Sequence, residues 1–176
     1  MSSEQSRLNL GKKIPSVFGL EGDSWMRHSN PASVWTRFGV LPMLIGSIWS
    51  RKWIGRRALV PLAGSSAWML VNPLFFRRPQ STRNWASKAV FGERIWTERH
   101  RAELPDQFNS QAPVVATVYQ GIGLAPLVYG LARLRGTPTV LGMLMVQGGK
   151  LWYLDRMVLL FEEMKTRDIE YARWEY

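Results

Sequence analysis

Two long stretches of this chain carry no charged residue, residues 58–76 and 112–132, and a third, residues 136–149, follows the second after Arg133-Leu134-Arg135. A helix on the surface of a water-soluble domain interleaves polar side chains every two or three positions. At ~1.5 Å per residue, stretches of this length reach roughly the ~30 Å hydrocarbon thickness of a bilayer. Backbone polar groups in lipid must be satisfied within their own segment, which favours helices. The expectation is an all-α integral membrane helical bundle, with about four transmembrane helices and one amphipathic cytoplasmic loop helix.

Local signals place the segments. Residues 1–29 are polar and read as an N-terminal tail. Asn30-Pro31 is a helix start, with Asn as cap and Pro where its missing N–H costs nothing. A first span is expected over 31–50. Its charge-free part, residues 38–50, is short, so spanning needs Arg37 to snorkel or to find a partner; a re-entrant or tilted helix is the rival reading. Arg51 to Arg57 form a basic turn around Trp53. A second span covers 58–76, with a small-residue stretch from Ala63 to Ala67 and with Asn72-Pro73 near its end, where a kink or early stop is expected. There Asn72 satisfies backbone freed by Pro73 rather than binding a ligand. Residues 82–101 are amphipathic, with Trp85, Ala89, Gly92 and Trp96 on one face and Arg83, Arg94 and Arg101 opposite. They read as a helix lying in the headgroup layer or, equally, as a surface helix packed on the bundle. The third span is 112–132, with Gly121 and Ala125 as a small-xxx-small packing pair. Thr137-Pro138 starts the fourth, over 138–161. Residues 30–164 make up the membrane domain and 165–176 a C-terminal tail.

Charge supports this organisation and orients it. There are 23 Lys+Arg against 13 Asp+Glu, a formal net charge of +10. Alternating sides at each span puts 17 of the basic residues on one face and six on the other. The positive-inside bias then places both termini and the middle loop in the cytoplasm of a multi-pass protein of the cell membrane. Nine Trp suit an interface where the ring is buried and its N–H stays wet. The mean hydropathy of −0.14 is low for four spans because charge and apolarity are segregated into blocks.

Three runs, His28 to Arg37, Asn84 to Trp96 and Lys150 to Val158, resemble a family of small prokaryotic membrane proteins catalogued only as a domain of unknown function. The likeness covers roughly residues 26–164. It implies a multi-span membrane protein and carries over no activity, cofactor or catalytic residue.

Absences narrow the chemistry. With no Cys, disulfides, thiolate nucleophiles and Cys-ligated metals are excluded. H-E-x-x-H, G-x-S-x-G, P-loop and G-x-G-x-x-G motifs are missing. The first 30 residues lack the apolar core of a cleavable signal. Neither a metal nor a cofactor is expected.

The polar residues of interest are those placed where polarity is costly. Lys150, Asp155 and Arg156 interrupt an otherwise apolar helix. Either the hydrocarbon ends near Lys150 and residues 150–164 extend into the interface, or these groups lie within the membrane and must pair. Trp152 and Arg156, four apart, are positioned for a cation–π contact. With Arg37, Asn84, Lys88 and Glu93 they are candidates for one cytoplasmic-side polar network, which either locks loop to bundle or binds an anionic lipid headgroup. The leading function is therefore a structural, accessory or lipid-headgroup-binding membrane module without enzymatic activity. The alternatives are a membrane enzyme or transporter acting on a lipid-like substrate, and a soluble basic helical nucleic-acid-binding protein. Expected partners are anionic membrane lipids and a second copy or another membrane protein. Nucleic acid is disfavoured because the helices lack arginine stripes.

Overall fold

The computed structural model describes residues 23–99, 104–105, 108 and 112–176. Residues 1–22 of the expected tail, and the end of the expected loop helix at 100–101, lie outside the described residues. The described chain is helical, with no strand among the described residues. Its helices are α1 (Asp23–His28), α2 (Pro31–Phe38), α3 (Val40–Ile54), α4 (Leu59–Phe75), α5 (Trp85–Thr97), α6 (Ala112–Arg133), α7 (Gly136–Arg167) and α8 (Ile169–Ala172), with a 3₁₀ turn at Gly55–Ala58.

The expected first span is two helices, not one. Asn30 does cap α2, its Oδ1 accepting from Ala32 N at 2.9 Å. The chain breaks at Gly39 because Pro42 has no N–H to give to the Phe38 carbonyl. α3 then runs on to Ile54, so Arg51 and Lys52 belong to a helix rather than to a turn. The turn itself is Gly55–Ala58, entered through Gly55 at φ 55, a backbone region that suits glycine. α4 continues through position 73 to Phe75. α7 starts at Gly136, two residues before the expected Pro138, and continues unbroken to Arg167.

Two antiparallel hairpins result, α3–α4 and α6–α7. Ser47 of α3 and Ser65 of α4 face each other at 3.3 Å, and each also bonds the carbonyl one turn earlier in its own helix. α6 and α7 pack through a seam of small residues. A Cβ at Gly123, Gly130, Gly142 or Gly149 would run into the opposite helix, at Gly130 and Gly142 into its main chain. The buried α6 positions 113, 116, 123, 127 and 130 follow the heptad spacing of a shallow left-handed crossing. The expected packing pair is displaced from this seam: Gly121 and Ala125 are both exposed, and a Cβ at Gly121 meets nothing within 4 Å. The two hairpins are tied at their turns by Arg51, whose Nη2 donates to the Leu131 and Ala132 carbonyls at 2.6 and 2.9 Å. A cation is thus placed at the negative end of α6.

The other half of the molecule is a compact cap. Phe91 and Ile95 of α5 and Met157, Leu160, Phe161 and Met164 of α7 form its core, with Phe108, Trp174 and Tyr171 packed around them. α5 is therefore not spread on a surface by one aromatic face. Ala86, Ser87, Ala89, Val90, Phe91, Gly92 and Ile95 are all buried. Its approach to α7 is so close that a Cβ on Gly92 would collide with the Met157 backbone. The C-terminal segment is part of this cap. Tyr176 N donates to Thr82 Oγ1 (2.8 Å), Thr82 N donates to the Tyr176 carbonyl (2.9 Å), and Arg94 lies 4.3 Å over the Trp174 ring.

The two halves differ in what they show to the surroundings. The hairpins expose large apolar side chains, among them Val60 at 75% and Leu70 at 73%, with Leu74, Phe75, Val118, Ile122, Val128, Leu141 and Leu144. Among the described residues one helix, Pro113–Arg133, is long and apolar enough to cross a membrane where about four were expected, and 22% of its apolar window is buried. The core helix of a water-soluble protein would be mostly buried. By length, ~1.5 Å per residue makes α3 and α4 roughly 23 and 26 Å, shorter than the ~30 Å core.

Candidate functional site: a pocket between the two hairpins

A cavity of about 310 Å³ opens where hairpins and cap meet. Its walls are Val34, Phe38, Val40, Leu41, Leu44, Met69, Val90, Val146 and Leu154, with Arg37, Glu93, Gln120, Gln147 and Lys150 as the polar members. Five helices contribute before α7 is counted: α2, α3, α4, α5 and α6.

Each charged group is positioned by a local device. Arg37 sits in the last turn of α2. Its Nε donates to the Ser33 carbonyl (3.2 Å), its Nη2 to the His28 carbonyl (3.2 Å), and its Nη1 meets the His28 ring. Burial, Arg37 and Lys150 push His28 down to about 3, so the imidazole is neutral beside the guanidinium. Burial pulls Arg37 down to about 10, with Glu93 opposing, and it stays charged at neutral pH. Lys150 Nζ donates to Glu93 Oε1 at 2.6 Å and lies 4.8 Å over the Tyr153 ring. Glu93 is delivered by α5, whose spacing from α7 is set one residue earlier by Gly92.

The seven candidate network residues separate into four settings. Arg37, Glu93 and Lys150 line the pocket. Asn84 is the cap of α5, accepting from Ser87 N at 2.9 Å and donating to Ser87 Oγ and the Ser81 carbonyl. Lys88 bonds Glu162 (2.6 Å) and Glu175 (3.0 Å), and Lys165 joins the same two glutamates, a four-member cluster that clamps the C-terminal segment onto α5 and α7. Asp155 and Arg156 pair with each other at 2.9 Å on the surface of α7. No cation–π contact between Arg156 and Trp152 forms among the described residues. Asn72 is fully buried, and its role is tertiary rather than local. With its oxygen turned toward Trp68, it accepts from Trp68 Nε1 (3.2 Å) and Thr36 Oγ1 (2.8 Å) and donates to the Ser33 carbonyl (3.2 Å), pinning α4 to α2.

Gln120 and Gln147 are polar pocket residues that motif reading passes over, and Gln147 has the clearer role. Its Nε2 donates to the Phe38 carbonyl at 2.9 Å, the very group left without a helical partner by Pro42. An amide inside a charge-free run, and a proline four residues after a carbonyl, are each visible in the sequence. Their complementarity appears only once α2–α3 and α7 are side by side.

A family model covers residues 9–173, nearly the whole chain, and is described as a family of unknown function, DUF6653. The chain belongs to DUF6653. Neither the curated proteins nor the solved structures contain a match to it. For this DUF6653 chain, then, the site rests on its own geometry. Among the described residues, no group of three or more His, Asp or Glu is placed to hold a metal ion. The pocket offers two cations, one carboxylate and the two amides of Gln120 and Gln147 among otherwise apolar side chains.

Proposed function

We propose that this protein is a multi-pass membrane module in which α3, α4, α6 and the first half of α7 lie in lipid. The cap stands on the cytoplasmic face and gathers anionic lipid headgroups as a structural or accessory subunit. The observation that carries the reading is the apolar belt on the hairpins, from Val60 and Leu70 on α4 through Ile122 on α6 to Leu144 on α7. A contiguous exposed patch of that kind marks contact with lipid or with a partner. Past Lys150 α7 enters the cap, and its exposed apolar residues Leu151, Trp152 and Leu159 are interleaved with Asp155 and Arg156 instead of forming a charge-free run. Hydrocarbon would thus end near Lys150, with residues 150–167 outside it. The short α3 and α4 fit if the bilayer thins locally or if Arg51, Lys52, Arg56 and Arg57 snorkel at their far ends.

The test is membrane fractionation with a carbonate wash, combined with accessibility tags in the turns at Gly55–Ala58 and Leu134-Arg135. The expected result is retention in the membrane, with both turns on the face opposite to the C-terminus. Release by carbonate, or a folded monomer in buffer without amphiphile, would remove the reading. The pocket gives a lipid-directed activity a place to occur, while His28, whose ring meets Arg37, is not among the residues that line it.

A further inference from the structure

The pocket's two ends are chemically unlike, and that asymmetry restricts what fits it. At about 310 Å³ it falls at the lower edge of small-molecule sites, which run roughly from 300 to 1,000 Å³. Its apolar end is formed by Leu41 and Leu44 of α3, Met69 of α4 and Val146 of α7. It therefore lies between the hairpins and continues the surface that the belt presents outside. Its charged end holds Arg37 and Lys150 against Glu93, an excess of one positive charge. Lys150 has three N–H donors and gives one to Glu93. Donor capacity therefore remains for a second acceptor without breaking the pair.

Each simpler occupant leaves part of the site unmatched. A wholly apolar molecule would leave Lys150 facing hydrocarbon, and a cation would meet two like charges. A small free anion would leave the leucine-lined end empty.

We propose that this pocket holds one anionic phospholipid, with the headgroup phosphate at Lys150 and Arg37 and the first methylenes of one acyl chain between α3 and α7. The assignment rests on the reading of the hairpins as lipid-embedded. It adds to that reading a specific site, a stoichiometry of one and a role for Glu93. Sharing Lys150, the carboxylate competes with the phosphate for that cation and lowers the site's affinity, while the net positive charge of the three groups favours a headgroup of net negative charge.

The experiment uses the full chain purified in mild detergent. It is titrated with phosphatidylglycerol, with phosphatidylcholine of identical acyl chains, and with inorganic phosphate, and bound species are read by native mass spectrometry. One phosphatidylglycerol per chain is expected to survive activation that strips phosphatidylcholine, with no phosphate adduct. Glu93→Gln is expected to strengthen phosphatidylglycerol retention and Lys150→Gln to weaken it about tenfold. The double variant removes both partners of the pair, leaves no orphaned charge and is expected to lose the lipid preference while staying folded. Leu44→Trp, which fills the apolar end, is expected to lose retention with every charged group intact. A salt bridge that only supports the fold would move Glu93→Gln and Lys150→Gln in the same direction. That outcome, equal retention of the two lipids, or binding of phosphate alone, overturns the assignment. A chain that needs detergent yet shows no lipid preference refutes only this site. One that needs no detergent refutes the membrane reading itself.

Discussion

A methyl group added at Gly92 would run into the carbonyl and Cα of Met157, main-chain atoms that cannot rotate away. The same methyl at Gly121 meets nothing within 4 Å. Gly92→Ala is therefore expected to destabilise the cap by about 1–3 kcal/mol or more, since overpacking against backbone forces α5 off α7. Gly121→Ala should be neutral or stabilise α6 by up to about 1 kcal/mol, the usual gain from removing an unneeded helical glycine. Thermal melts in detergent check both, and equal effects would contradict the packing described. His28 makes a second case. Its folded value of about 3 lies below the ordinary 6.5, so the unfolded chain binds more protons between those values. Stability contributed by neutral His28 is present above pH 6.5 and is lost as pH falls below it, by at most about 1.4 kcal/mol per pH unit. The ring is expected to show no protonation shift by NMR between pH 7 and 5, and His28→Gln to flatten the stability slope over that window. A normal titration near 6.5 would mean that Arg37 and burial do not hold it as the structure has it.

At the scale of elements, the C-terminal segment decides how α5 is held. Trp174 packs on Phe91 at 5.6 Å between ring centroids, and Glu175 bonds Lys165 and Lys88. Hydrogen bonds from Lys165 and then Lys88 hold the Glu175 carboxylate below its ordinary range. For Glu162, burial acts upward and the same two lysines outweigh it. Both lysines are raised, chiefly by Glu162. The cluster therefore contributes fully between the unfolded carboxyl and lysine values, about 4.3 and 10.4. It is lost as pH falls through the lowered glutamate values or rises through the raised lysine values. These groups are partly solvated, so the contribution is modest, and the apolar anchor dominates. Trp174→Ala is expected to cost about 3 kcal/mol, near the low end for a large aromatic. Lys165→Met should cost much less, and its effect should vanish near pH 3. If the two variants melt alike at pH 7, the segment is held by charge rather than by its ring. Little of this was legible in advance. Residues 165–176 read as a tail because a mixed-charge stretch has no periodicity, and its partners lie about 80 residues away in α5. The charge-free runs announced α4 and α6 because the absence of charge is a property of a run itself. Gly121 and Ala125 were the wrong pair because small-xxx-small spacing recurs along α6, and only the phase of α7 selects positions 123 and 130.

If the hairpins lie in lipid as proposed, the whole molecule joins two parts stabilised by different physics. In the cap, Met157, Leu160 and Phe161 are removed from water around α5, and the driving force is hydrophobic burial reinforced by ion pairs. In the hairpins, most large side chains face outward, and α6 meets α7 through Gly123, Gly130, Gly142 and Gly149. Helices surrounded by lipid gain nothing from hiding apolar area from one another; they associate by close packing of small residues. Perturbations should then separate by half. Trp174→Ala, or acidification to about pH 3.5 below the ordinary carboxyl value, is expected to raise amide hydrogen exchange in α5 and residues 150–167 while leaving α6 and residues 136–149 protected. Gly142→Ala, whose Cβ would strike the Leu127 main chain, should do the reverse, loosening the α6–α7 seam before the cap. Because α7 runs unbroken through both halves, some communication along it is expected around Lys150, the point where pocket, cap and seam meet. Exchange measured peptide by peptide in the same detergent separates these cases. If either perturbation opened both halves together, α7 would be acting as a single cooperative core, and the boundary drawn at Lys150 would have no energetic meaning.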